Sequence, residues 1–175
     1  FNNPGSVKVA SKLKHHFSRH GSPNIPLWAN LGKSKITPLD EAPSDYAATM
    51  DRLWEYCDTF VINVSSPNTP NLRELQHDDA LESVIQACQE VNSRHSKSSK
   101  TELKPLLIKI APDVTDEQLT AIVQTARSAG CDGIIATNTT LERPETFPKG
   151  EEKVFTQTGG LSGAPLSNRS TEVIR

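Results

Sequence analysis

The sequence predicts an α/β fold with an all-parallel sheet, and three observations carry that prediction. Short apolar runs alternate with segments of helical periodicity; repetition of strand, helix, strand implies right-handed crossovers; and polar residues collect at the carboxyl end of every run. The first element is a helix over about 6–19 that buries Val7, Ala10 and Phe17. The runs 25–30, 60–64, 105–110 and 133–137 read as buried strands. Between them Tyr46, Met50, Leu53, Trp54 and Cys57 recur at three- and four-residue spacing behind Ser44 as a candidate cap. Leu81, Val84, Ile85, Cys88 and Val91 repeat the pattern. So do Leu119, Ile122, Val123 and Ala126, with Thr115-x-x-Gln118 as a capping box and Gly130 at the helix end. The stretch 170–174 reads as the first turn of one more helix. Two segments read as surface loops: 92–104, rich in Ser, Lys and His, and 141–158, which is long enough to be a mobile lid or a disordered excursion, the lid being favoured because it leaves a polar strand end and returns to a glycine-rich turn.

Two architectures fit this alternation. A doubly wound sheet normally carries G-x-G-x-x-G after a strand, and none is present. In a TIM (β/α)8 barrel the carboxyl ends of the strands form the rim where chemistry sits, which matches Asn30, the segment 63–68, Lys109 and the segment 137–139. The expectation is one partial barrel domain over 1–175, about the central half, with four strands and their helices.

Composition removes several function classes. With 19 Lys+Arg against 21 Asp+Glu, a formal charge of −2 and a pI near 6.2, no nucleic-acid surface is expected. No apolar run approaches the ~18 residues of a membrane span. Cys57, Cys88 and Cys131 lack C-x-x-C spacing, so they are expected as reduced core thiols, with no metal site.

The densest polar constellation is Asn63-Val64-Ser65-Ser66-Pro67-Asn68-Thr69. Neutral amides donate and accept, which suits a flat ligand of alternating C=O and N–H groups; an Asx/Pro turn satisfying its own backbone is the plainer reading. Lys109 interrupts an apolar run, where an ammonium is costly unless an anionic or electron-rich ligand meets it or the side chain snorkels to solvent. Thr158-Gly159-Gly160-Leu161-Ser162-Gly163 could bring backbone N–H groups close to a phosphate, but it is not a P-loop. The five histidines fall in helices or loops and read as surface residues.

Together, 63–69, Ile108-Lys109-Ile110-Ala111-Pro112-Asp113, Thr137-Asn138-Thr139-Thr140 and 158–163 resemble class 2 dihydroorotate dehydrogenase in order and spacing. The resemblance implies an FMN-dependent barrel that oxidises dihydroorotate to orotate in pyrimidine synthesis and passes electrons to a quinone. By the same resemblance Ser66 is the general base, Thr69 relays its proton, and Lys109 acts in catalysis beside the flavin. Asn63, Ser66, Asn68, Asn138 and Thr139 hold the substrate, with Phe1 at the pocket wall. Asn30, Asn63, Lys109, Thr137, Ser162 and Gly163 contact FMN. A serine rather than a cysteine at 66 points to the quinone-using class, hence to the mitochondrial inner membrane or, alternatively, a bacterial cytoplasmic membrane. Strict strand alternation from Asn63 favours Ser65 for the same face, whereas the resemblance favours Ser66 and Pro67 gives a reason for the pleat to break.

The sequence opens at Phe1, and the resemblance implies that four barrel strands and the membrane-reaching helices lie outside these residues. The 175 residues alone are therefore expected to be inactive and unstable, with open sheet edges. The rival expectations are a flavin barrel acting on another pyrimidine and a non-catalytic interaction module.

Overall fold

The structure is a computed structural model that describes residues 3–69, 71–76, 78–146, 149–150 and 152–175. All four expected strands form: β1 (Trp28–Leu31), β2 (Thr59–Asn63), β3 (Leu106–Ile110) and β4 (Gly133–Ala136). They pair in chain order, β1-β2-β3-β4, and every pairing is parallel. The helices are α1 (Ser6–His20), α2 (Ala42–Leu53), α3 (Asp78–Ser99), α4 (Asp116–Ser128), α5 (Glu152–Phe155) and α6 (Ala164–Ile174). Single 3₁₀ segments lie at Trp54–Tyr56 and Leu72–Gln76.

Sequential strand order with one helix-covered face decides between the two architectures. A doubly wound sheet reverses its order and carries helices on both faces, whereas a barrel wall winds one way with helices outside. Ala29, Leu31, Phe60, Ile62, Leu106, Ile108 and Ile110 form one core with Tyr46 and Met50 of α2, Leu81 and Ile85 of α3, Ile122 of α4 and Val173 of α6. The register puts Asn30 beside Val61, Asn63 beside Lys109, and Lys109 beside Ile135 on the opposite face.

That opposite face corrects one expectation. The apolar runs predict strands buried on both faces, which holds for β2 from Thr59 to Ile62 but not for β1 and β3. Along β3, buried residues alternate with half-buried ones, and Trp28 is 55% exposed. Lys109 therefore lies on the concave face of an open sheet, without the two-sided apolar burial its run suggests.

Local differences have local causes. The inward stripe of α1 is Val9, Ala10, Leu13 and Phe17, while Val7 is 65% exposed; Phe17 meets Tyr56 edge-on at 5.7 Å. Glu41, not Ser44, precedes α2, and Pro43 sits in its first turn, where a missing N–H costs nothing. The capping box of α4 forms as its spacing predicts, Gln118 N–H donating to Thr115 Oγ1 at 3.2 Å and Thr115 N–H to Gln118 Oε1 at 2.9 Å.

The expected loop 92–104 is helical as far as Ser99. Tertiary contacts outweigh its polar composition: Asn92 is buried and accepts from Trp54 Nε1 at 3.0 Å, while Arg94 and His95 both reach Asp51 of α2 at 2.6 Å. His95 also stacks on Trp54, so it is more than a surface histidine. The terminal helix begins at Ala164 rather than at 170.

Cys57 and Cys88 are buried and Cys131 half-buried, all as free thiols. Burial pushes Cys88 and Cys131 up to about 12, which keeps them protonated. Among the described residues no helix is long and apolar enough to cross a membrane.

Candidate functional site

The polar ends of β2, β3 and β4 lie side by side because the sheet is parallel and in register. Asn63 pairs with Lys109, Ile110 pairs with Ala136, and Asn138 N–H donates to Ile110 O at 2.8 Å. From the helix side, the Tyr46 hydroxyl donates to Asn63 O at 2.8 Å; burial raises its pKa, so it stays a donor.

Past Asn63 the chain turns sharply. Val64 enters the core, and Ser65 is fully buried behind it. Asn63 Oδ1 accepts from Ser65 Oγ at 2.7 Å and from Ser65 N–H at 3.2 Å. Asn138 Nδ2 donates to Ser65 Oγ at 3.0 Å, and Asn138 Oδ1 accepts from Thr139 N–H at 2.8 Å. One buried hydroxyl thus joins the amides at the ends of two strands, and each amide keeps spare hydrogen-bonding capacity for a ligand. Strict alternation correctly places Ser65 on the side of Asn63. Ser66 is half-buried, and its Oγ accepts from Asn68 N–H at 3.3 Å. Asn68 is exposed and Thr69 half-buried, and no hydrogen bond ties either side chain to the Asn63–Asn138 pair. Phe1 lies outside the described residues.

Two groups at the strand ends have unmet needs. Among the described residues, no hydrogen bond or ion pair engages the Lys109 ammonium, and Thr137 Oγ1 is buried without a hydrogen-bond partner. A buried hydroxyl in want of a partner is costly, and a ligand supplies one. FMN fits both: it carries ring carbonyls and nitrogens for a hydroxyl and becomes anionic on reduction beside a cation. Asn30 lies on the same face but exposed, two strands from Lys109.

The glycine-rich segment closes over the rim. Thr140 and Leu161 exchange backbone hydrogen bonds of 3.0 and 2.7 Å, laying this segment against the end of β4. A Cβ on Gly160 would stand 1.8 Å from Thr139 Oγ1 and 3.2 Å from Pro67 Cγ, so a side chain is excluded there by close packing. Ser162 and Gly163 follow, exposed, at the start of α6. The excursion between is held by Arg143, whose guanidinium donates to the carbonyls of Phe155, Gln157 and Gly159 at 2.8–2.9 Å and to those of Leu141 and Glu142 at 3.1 Å.

Sequence reasoning does not find Arg73, Asp113 or Arg143. Arg73 donates to Asp113, to Ser65 O at 3.3 Å and to Thr139 O at 3.0 Å. Asp113 accepts from Thr140 Oγ1 and from Leu141 N–H at 2.9 Å. A single arginine in a short polar stretch has no pattern to announce it; Asp113, just after Pro112 in the β3 motif, is the one member with a local signal.

The dihydroorotate dehydrogenase family matches residues 1–175. Curated relatives named dihydroorotate dehydrogenase (quinone) include one from Synechococcus elongatus, 47% identical over 100% of this chain and 45% of its own length. Another, from Streptomyces avermitilis, is 44% identical over 99% of this chain and 46% of its own length. A ligand-free DHODH crystal structure from Eimeria tenella superposes with a TM-score of 0.83 at 35% identity, covering 99% of this chain and 51% of that one. The chain spans about half the length of the curated relatives it matches, and its four strands correspond to half of that enzyme's barrel. The chain belongs to the dihydroorotate dehydrogenase family.

Proposed function

We propose that the protein oxidises dihydroorotate to orotate with bound FMN in pyrimidine synthesis and returns the electrons to a quinone. The observation that carries this reading is the convergence, at one end of a parallel sheet, of Asn63, Asn138 and Thr139 with the Lys109 ammonium and Thr137 hydroxyl, which have no partner among the described residues. Bound FMN supplies the hydride acceptor. Ser66 takes the C5 proton as the C5–C6 double bond forms and C6 loses hydride, and Thr69 relays that proton outward. The hydroxyl's ordinary pKa is far too high for a free base, so Ser66 works only in a closed, desolvated pocket. Asn63, Asn68, Asn138 and Thr139 hold the pyrimidine ring and carboxylate. Asn30, Asn63, Lys109, Thr137, Ser162 and Gly163 would hold the flavin, with Lys109 supplying positive charge that would stabilise its reduced form. The segment 141–158 serves as a lid whose root is pinned at Thr140–Leu161.

The quinone in the relatives' names supports a peripheral membrane location. The two curated relatives named above are bacterial and the superposed structure is from Eimeria tenella, so a bacterial cytoplasmic membrane accounts for the quinone as well as the mitochondrial inner membrane does. Anaerobic mixing of the FMN-loaded enzyme with dihydroorotate tests the reading: bleaching of the oxidised flavin with stoichiometric orotate is expected. Reduction by dihydrouracil or dihydrothymine but not by dihydroorotate would overturn it.

A further inference from the structure

We infer that Arg73 and Asp113 form a positioning pair that sets the geometry of the substrate-holding loops and ties it to the root of the 141–158 excursion. The inference rests on the proposed dihydroorotate chemistry. Arg73 lies in the 3₁₀ segment Leu72–Gln76, and it meets the substrate-holding Thr139 through that residue's backbone carbonyl rather than its side chain. Its guanidinium bonds three separate rim segments. It donates through Nε to Ser65 O after β2 at 3.3 Å, to the carboxylate of Asp113 after β3, and to Thr139 O after β4 at 3.0 Å.

Asp113 carries the link one step further. One oxygen accepts from Thr140 Oγ1 and the other from Leu141 N–H at 2.9 Å, where the excursion leaves the barrel wall. The Thr140 hydroxyl in turn accepts from Glu142 N–H at 2.9 Å. Arg73 and Asp113 side chains keep only 20% and 16% of their accessible surface, so the pair is substantially desolvated, and losing one partner leaves the other's charge uncompensated. Next to them the Gln76 carboxamide accepts from Ala111 N–H at 2.8 Å and reaches back towards Arg73 O, fixing the 3₁₀ segment against the end of β3.

Three loops converging on one residue is a use of the planar guanidinium that an ammonium cannot match. Lysine would keep the charge but could not span Ser65, Asp113 and Thr139 in one plane. Ser65, which precedes the proposed base in the chain, and the substrate-holding Thr139 are thus both held through their backbone carbonyls. A shift of about 1 Å in either would carry through to the reacting geometry and cost on the order of 100-fold in rate.

The test uses the FMN-loaded enzyme and the variants Arg73→Lys, Arg73→Gln and Asp113→Asn, compared per bound flavin. The expected result is a fall of about 100-fold in anaerobic flavin reduction by dihydroorotate for Arg73→Gln and Asp113→Asn, and of at least about tenfold for Arg73→Lys. Orotate affinity, read from the flavin absorbance shift, is expected to weaken in the same order. Hydrogen exchange supplies a readout independent of turnover: the Leu141 amide should exchange faster in all three variants, while Ile108 in the core of β3 stays protected. Per-flavin rates within about threefold of wild type in the folded variants, or full rescue by lysine, would overturn the inference. Should Arg73→Gln fail to fold, Arg73→Lys and Asp113→Asn still decide it. A wild-type enzyme that dihydroorotate does not reduce would sink the proposed function instead, so the two failures are distinguishable.

Discussion

Gly160→Ala is the most discriminating single substitution because two effects of one methyl group run in opposite directions. The added Cβ would lie 1.8 Å from Thr139 Oγ1 and 2.5 Å from Thr139 Cβ. Turning the Thr139 rotamer moves the hydroxyl but not the Cβ, so the backbone must give. Restoring an ordinary contact near 3.5 Å requires a displacement of about 1 Å or more between the 159–161 segment and Thr139. Thr139 is tied to Asn138 Oδ1 through its N–H at 2.8 Å, so the displacement reaches the amide that bonds Ser65. A misplacement of that size costs on the order of 100-fold, or about 2.7 kcal/mol of barrier, in kcat/KM for dihydroorotate. In the unfolded chain the same methyl removes backbone freedom, which by itself favours folding by about 0.4–1 kcal/mol. Steady-state oxidation of dihydroorotate and a thermal melt measure the two effects. The expected outcome is a large loss of kcat/KM with a Tm that falls little. An unchanged Tm together with kcat/KM within about threefold of wild type would refute the close-packing argument.

Lys109→Ala should weaken FMN retention or slow flavin reduction by at least about tenfold, as measured by fluorescence of released flavin and by stopped flow; no change in either would show that the ammonium serves only solvent. Arg143→Ala frees five carbonyl contacts in the excursion. Limited proteolysis within 141–158 should therefore accelerate several-fold and orotate should slow it less than in wild type, whereas equal cleavage rates would contradict the staple. Asp51 accepts from His95 and then Arg94, which hold its carboxyl below the usual carboxylate range. Its contribution to stability is therefore complete above its unfolded value of about 3.9 and is lost as pH falls through the lower folded value. Asp51→Asn should lower Tm at neutral pH and reduce the Tm loss on acidification below about pH 4, and a parallel pH profile in both proteins would exclude this linkage.

Much of the barrel wall is legible in the sequence because its signals are local. Alternating runs mark the strands, and Thr115 and Gln118 mark a helix start by chemistry alone. What the sequence hides is tertiary. The polar stretch after Val91 becomes helix because Asn92, Arg94 and His95 find partners on α2 and at Trp54, and no window of composition contains that information. Val7 is exposed while Val9 and Leu13 pack inward, since the orientation of α1 is set by where α2 and Tyr56 lie. At the site, the strand-end residues are legible as a set, and alternation even predicts that Ser65 joins Asn63. The glycines of 158–163 signal close backbone approach without saying to what; in the structure Gly160 packs against Thr139 and Pro67. Arg73 and Asp113 stand 40 residues apart and meet only once β2, β3 and β4 are in register.

The most direct measurement of the central claim is the rate of flavin reduction by dihydroorotate in Ser66→Ala, per bound FMN, at neutral pH. The account predicts a fall of several orders of magnitude with orotate still bound, because the carbon acid has lost its only assigned base. A rate within about threefold of wild type, or a comparable fall confined to Ser65→Ala, would contradict it.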